Sequence, residues 1–298
     1  MNITKKLVLA GLAIAAAVAC QPTAKELKME TFEQSDGTEH AHLSMHVELP
    51  APVKGPAGHI RTKLIEIIDD QLCHIASYED EPRLFPAYEG NPLDTKALMG
   101  YYWDQSMEAF CGAAKEDYDE RVASVEENDG LTEEERLAAL FSIPKFEYSF
   151  SLVKTDETDR YAVFVNEDYV YLGGAHGGIL GRGGLTFDKK DGALVEKMLD
   201  PGCLDAIQPL LRKGLTQYFA ADGEMEITQE ELDNYLFLES GVIPFPAWTP
   251  YPSEDGLVFT YQQYEIAAYA AGMPEFTVPY ADILPYLTPE AKALVGLE

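Results

Sequence analysis

The chain has 298 residues, of which 51 are acidic and 22 basic, a formal net charge of −29. That balance makes nucleic acid and anionic membrane surfaces poor partners and leaves a basic partner or simple solubility as the better readings. The length allows one large domain or two small ones.

In chain order, residues 1–19 read as a signal peptide. Lys5 and Lys6 supply the positive start, and Leu7 to Val18 is too short an apolar run to span a membrane. The run ends in Val18-Ala19-Cys20, which resembles the lipobox of bacterial lipoproteins. The alternative is an ordinary signal peptide cut at a small-residue site. The lipobox reading makes Cys20 the lipid-attachment residue, followed by a polar tether over residues 20–37. Gln21 replaces the aspartate that retains lipoproteins at the inner membrane, so the outer membrane is favoured, with either the periplasmic or the surface face open. Without Lys5 and Lys6, 20 basic residues face 51 acidic ones, a net charge of −31 for the mature chain. No other run is apolar enough for a transmembrane helix.

His40 to Leu49 alternates apolar and polar residues and predicts a strand with one buried face. Residues 57–77 carry a helical stripe, and residues 79–92, with three prolines, a loop. A long helix is expected from Asp94 to about Val125, and a short capped one from Thr132 to about Ser142. Strands follow over Lys145–Lys154 and Arg160–Leu172, the latter with Tyr161, Val163 and Val165 alternating. A glycine turn comes next, then a strand over Gly181–Asp188 that ends in a tight Lys189–Gly192 turn. Helices over about 205–220 and 228–237, a proline-aromatic stretch at 243–252, strands at Leu257–Gln262 and Phe276–Tyr280 and two short helical pieces complete the chain. The pattern predicts an α+β fold with a largely antiparallel sheet, a small N-terminal α/β region over 38–142 packed on a C-terminal domain over 143–298. Beyond Cys20 three cysteines remain, and a bridge between Cys73 and Cys111 is possible because both fall away from the main apolar faces of their helices.

The segment Tyr169-Val170-Tyr171-Leu172-Gly173-Gly174-Ala175-His176-Gly177, the later Phe187-Asp188, and Gly256–Phe259 with Tyr261, Tyr264-Glu265-Ile266 and Tyr269–Gly272 carry a resemblance. Residues 145–290 resemble an extracytoplasmic domain of unknown function. It occurs in lysozyme-sensing anti-sigma factors of the RsiV type and beside the catalytic domain of PdaC-type peptidoglycan deacetylases. Residues 40–160 more faintly resemble the small α/β domain that usually precedes it. Neither the sigma-binding segment with its transmembrane helix nor the metal-dependent catalytic domain has a counterpart here. The resemblance therefore implies a ligand-facing envelope module and carries no catalytic residue with it.

Four glycines, at positions 173, 174, 177 and 178, surround His176 and permit left-handed backbone and close approach of a ligand. His176 could serve as a general base, but a lone histidine is not a catalytic constellation, and fixing the turn is the simpler role. His40, His42 and His46 share one face of their strand at a spacing a metal allows, yet no fourth ligand is identifiable, and a solvated strand face explains them. Trp248 and Tyr251 could form a platform for a glycan or peptide, or could cover the core. The expectation is a non-enzymatic binding module without cofactor or metal. Its speculative binding residues are Gly173, Gly174, His176, Trp248 and Tyr251, and its ligand is a cell-wall component or a basic protein such as lysozyme. The alternative is a cell-wall glycan hydrolase or deacetylase that uses His176.

Overall fold

The polar segment 29–37 is where structure and composition first part. A computed structural model describes residues 26–75, 82–174, 177–220, 226–238 and 240–297, and in it β1 (Met29–Gly37) pairs antiparallel with β2 (Ala41–Pro50) along its whole length. The tether expected over 20–37 therefore loses its last nine residues to the sheet. An edge strand is held by backbone hydrogen bonds, which leave little trace in composition. Here Met29 and Phe32 supply the partly buried apolar contacts.

After β2 come α1 (Pro56–Leu72), α2 (Thr95–Glu126) and α3 (Glu133–Phe141), then β3 (Phe146–Glu157), β4 (Tyr161–Tyr171) and β5 (Ile179–Asp188). The five strands stand in the order β1-β2-β3-β4-β5, and only β2 and β3 run parallel. The three helices form the crossover that a parallel pair requires. A register shift between Lys154 and Asp156 lets β3 continue past its expected end at residue 154. The helices at Thr132 and Thr228 begin with capping boxes, as their sequences predict.

One face of this sheet makes the first core. Ala41, Leu43, Met45, Val47 and Leu49 of β2 are all at most 1% exposed and pack against Ile60, Leu64 and Ile68 of α1 and Leu98, Tyr102 and Phe110 of α2. Past Ala114, α2 buries no residue, and α3 buries none at all. Cys73, expected to point away from the core, is fully buried in it. Cys73, Cys111 and Cys203 are all free thiols, so the possible bridge is not formed. Burial pushes all three thiols up in pKa, which marks them as packing groups rather than nucleophiles.

The remainder folds as α4 (Leu204–Phe219), α5 (Gln229–Tyr235), the antiparallel sheet of β6 (Tyr251–Pro252), β7 (Gly256–Thr260) and β8 (Glu275–Pro279), then α6 (Tyr280–Ile283) and α7 (Pro289–Val295). Its apolar residues make a second core with Tyr161, Val163 and Val165 of β4. Ala162 and Phe164, from the same strand, belong to the first core. β4 is thus buried on both faces. The boundary expected at 142/143 cuts through a continuous sheet, because β3, β4 and β5 complete what β1 and β2 begin. The fold class is α+β, as the pattern predicts.

Candidate functional site

Where the second core ends, the sheet face opposite α1 and α2 lies open, and strand register assigns what it displays. Residues directly opposite one another share a face, so three rows run across the strands. The first is His42, Glu147 and Tyr171. The second is Ser35, Ser44, Ser149 and Tyr169. The third is Glu33, His46, Ser151, Glu167 and Arg182. His42, His46, Glu33 and Glu147 are exposed, and Ser44, Ser149, Ser151, Tyr169 and Tyr171 are partly so. Serines are smaller than the side chains flanking them, which implies a shallow trough crossing the strands. With strands about 4.8 Å apart, Ser35, Ser44 and Ser149 on three neighbouring strands span about 10 Å. Ser35 Oγ lies 3.2 Å from His42 Nε2. The hydroxyls of Ser44, Ser149 and Ser151 have no hydrogen-bond partner among the described residues.

The expected histidine trio is divided. His42 and His46 stay on the open face, whereas His40 stacks on Tyr118 of α2 with ring centroids 4.2 Å apart. No group of three or more His, Cys, Asp or Glu residues placed to hold a metal ion occurs among the described residues.

At the tyrosine end the trough meets the glycine turn. Gly173 (φ +80°) and Gly177 (φ +88°) occupy the left-handed region, and a Cβ on Gly173 would fall 2.2 Å from Pro144 Cγ. Gly174 is exposed, while His176 lies outside the described residues, as do Cys20 and the signal segment. Gly178 sits beneath the Tyr169 ring, and its carbonyl accepts a 2.6 Å bond from the Tyr269 hydroxyl. Tyr269 packs on Tyr264 at 5.7 Å. Tyr264 is 53% exposed and holds φ +66°, the one left-handed non-glycine among the described residues. The first and last of the stretches that carried the sequence resemblance are therefore in contact.

That contact is built by side-chain amides. Gln262 accepts from Arg182 N–H (2.9 Å) and donates to Arg182 C=O (2.7 Å), as a neighbouring strand would, and Gln263 accepts from Leu180 N–H (2.8 Å). Glu265 braces the turn by accepting from Gln262 N–H and Ala247 N–H, both at 2.7 Å. Burial pushes its carboxyl up in pKa, against those two bonds.

Trp248 and Tyr251 are not a platform. A Cβ on Gly183 would meet Trp248 Cε3 at 1.9 Å, and one on Gly184 would meet Tyr251 Cδ1 at 2.1 Å. Successive strand residues face opposite sides, so the two rings grip β5 from both faces. Tyr251 is buried and Trp248 half-buried, which decides for the covering role.

Sequence reasoning passed over Gln262, Gln263 and Asp168. The carboxylate of Asp168 leans over Gly181, on the helix-facing side, and its pKa is pushed up to about 6 by burial and then by the Glu167 charge. Two residues away, fully buried Asn166 has no partner for its amide among the described residues. Only the interruption of an apolar strand by Asn166 and Asp168 could have signalled them.

No curated protein matches the chain. Solved structures share its fold, two of them from DUF3298-family proteins. One is a member of the DUF3298 family from Bacteroides fragilis, with TM-score 0.62, 17% identity, and 93% of this chain and 99% of that one covered. The other is a DUF3298 family protein from Pseudomonas aeruginosa, with TM-score 0.56, 14% identity, and coverage of 90% and 98%. Such identities establish fold alone, and they do so across both halves of the chain, in keeping with the continuous sheet. Residues 196–281 match the family model "Protein of unknown function (DUF3298)", a stretch that holds most of the second core and both glutamines but not the glycine turn. Residues 196–281 are thus a DUF3298 domain, set in a chain with the fold of solved DUF3298-family proteins.

Proposed function

We propose that the protein is a non-enzymatic binding module of the bacterial envelope, anchored by lipid at Cys20 to the outer membrane, with a cell-wall glycan as its ligand. The observation that carries this reading is the serine trough, in which the hydroxyls of Ser44, Ser149 and Ser151 have no partner among the described residues and tyrosines stand at one end. A glycan strand presents hydroxyls and flat ring faces. Serine hydroxyls donate and accept, Glu147 and Glu33 accept, and Tyr169 and Tyr171 offer ring surface at small entropic cost. Support for the address comes from the lipobox-like Val18-Ala19-Cys20 and from the resemblance to the accessory domain of RsiV-type and PdaC-type envelope proteins.

Co-sedimentation with purified peptidoglycan sacculi tests the ligand. Wild type should enrich with sacculi and Ser149→Trp, which fills the trough from an accessible position, should not. Equal sedimentation of the two, or none above an unrelated lipoprotein, rejects it. Palmitate incorporation that disappears in Cys20→Ala tests the anchor. Muropeptides released by wild type but not by His176→Ala would instead favour the hydrolase or deacetylase reading. A basic protein such as lysozyme is a second ligand, favoured by the mature net charge of −31 that follows from the composition. Calorimetry at 0.3 M salt, with a second basic protein of similar size as control, separates it from bulk attraction.

A further inference from the structure

The register of β1 on β2 determines which of its backbone groups are used. Lys28 C=O accepts from Ala51 N–H at 2.7 Å, and Lys28 and Ala51 continue the β1–β2 register. In an antiparallel pair, hydrogen-bonded positions recur every second residue. The even positions of β1 therefore bond to β2, and the N–H and C=O groups of Met29, Thr31, Glu33 and Ser35 point away from the sheet. They meet no partner among the described residues. Gly37, next in that series, has its N–H taken by the Asp36 carboxylate at 2.7 Å. Over its nine residues β1 has no proline and no register shift, so the outer edge is long and regular.

A cleft of about 610 Å³ runs beside this edge, between Glu30, Thr31 and Phe32 of β1 and Leu93, Asp94 and Lys96 at the start of α2. Phe32 and Leu93, the latter 56% exposed, give it apolar surface. A strand laid along β1 would put alternate side chains into this cleft and the others over the open sheet face. Its charge is set by its surroundings. Glu30 is engaged by Arg61 and Thr95, which leaves Glu33, Asp36 and Asp94 against Lys96. A second copy of this chain fits poorly: antiparallel pairing centred on Glu33 sets Glu33 against Glu33 and brings Glu30 opposite Asp36.

We propose that β1 is a docking edge that takes an extended, lysine- or arginine-bearing segment of a partner protein as a sixth strand of the sheet. This stands apart from the glycan reading, since it uses the backbone edge and its cleft and not the serine trough; Glu33 alone borders both, so the peptide arms, which leave the protein unchanged, keep the two tests distinct. The probe is an end-blocked octapeptide alternating valine and lysine, titrated into the full protein by fluorescence anisotropy and followed by amide hydrogen exchange. Binding should protect the amides of Thr31, Glu33 and Ser35. The same peptide with glutamate for lysine, or N-methylated on the edge that would face β1, should not bind. Glu33→Pro removes one outward N–H together with one of the facing carboxylates, without touching the β1–β2 ladder, and should weaken binding by about fivefold or more. Equal affinity of the methylated and unmethylated peptides overturns the proposal even if Glu33→Pro fails to fold. So does protection that appears only away from residues 29–36.

Discussion

At one edge of the five-stranded sheet, β5 meets the returning chain along much of its length; at the other, the outer backbone edge of β1 pairs with nothing among the described residues. Residues beyond the Lys189–Gly192 turn fold back on β5, with Val195 N–H donating to Thr186 C=O at 2.8 Å and Asp188 N–H to Ala193 C=O at 2.9 Å. Gln262 and Gln263 cover Arg182 and Leu180, and Trp248 and Tyr251 clasp the glycine pair between. The glutamines and the two rings come from the DUF3298 domain, and Ala193 and Val195 lie just before it. An exposed edge is an aggregation hazard, and the fold evidently has the means to close one. That β1 is left open, guarded only by charge, is a difference of treatment within one sheet.

The largest expected effect is at the clasp. Gly184→Val would drive a side chain into the Tyr251 ring and should cost about 3 kcal/mol or more of unfolding free energy in urea titrations. The matching substitution on the open edge, Thr31→Val, should stay within about 0.5 kcal/mol. Similar losses at both positions would mean that the edges are not held differently.

The covered edge also shelters a titrating group. With the folded carboxyl of Asp168 raised to about 6 and an unfolded one near its usual 3.9, the native state binds the proton more tightly. Its contribution therefore favours folding below about pH 4 and is lost as pH rises to about 6. Asp168→Asn should be more stable than wild type by about 2–3 kcal/mol at pH 8 and about equal to it at pH 3.5. A difference that does not change with pH would place the carboxylate in water. Glu157 works in the opposite sense. Burial pushes it up, but bonds from Lys154, Lys189 and Leu27 N–H outweigh that and hold it below the usual carboxylate range. It stabilises the fold at neutral pH and ceases to as acid protonates it, so pH scans need the Asp168 variant as reference.

Gln262→Ala should cost about 1–2 kcal/mol, because it strands the outward N–H of Arg182 in a partly buried seam. Hydrogen exchange is the more specific readout: the Arg182 amide should exchange faster, while Thr31 and Glu33 on the bare edge exchange fast in wild type and variant alike.

How legible this was follows from what each element asks of its residues. β2 and the N-terminal half of α2 each bury one face, so Leu43-Ser44-Met45-His46-Val47 and the Leu98, Tyr102 and Ala109 spacing announced them. β1 buries almost nothing, and Met29–Gly37 looked like tether. β4 buries both faces, so Ala162 and Phe164 spoiled the alternation expected of it. The site was half visible. The glycine turn and the tyrosine segment stood out as unusual compositions, and the structure joins them through Gln262, Gln263 and Tyr269. The serine trough could not be seen, because it exists only in the register of β1 and β2 with β3, which lies some hundred residues further along the chain. Trp248 and Tyr251 misled for a physical reason: a ring that covers a glycine and a ring that awaits a ligand have the same sequence.

The smallest expected effect on stability is on the bare edge, and it bears most directly on why the edge is bare. Glu33→Thr removes an exposed carboxylate that makes no hydrogen bond or ion pair among the described residues, so the unfolding free energy should move by less than about 0.5 kcal/mol. Self-association should change more. In a two-fold antiparallel pairing of β1 with itself, Glu33 would face its own copy as a hydrogen-bonded pair about 5.5 Å apart between Cα atoms, where like charges repel. Threonine at that position removes the repulsion and suits a strand. Sedimentation equilibrium should then find a dimer in Glu33→Thr at concentrations where wild type is monomeric, a shift of about fivefold for about 1 kcal/mol of relieved repulsion. Raising salt should bring wild type part of the way toward the variant, since screening weakens the same repulsion. If Glu33→Thr and wild type associate alike at every salt concentration, charge is not what keeps two copies apart, and the contrast between a closed edge and a guarded one reduces to a closed edge and an idle one.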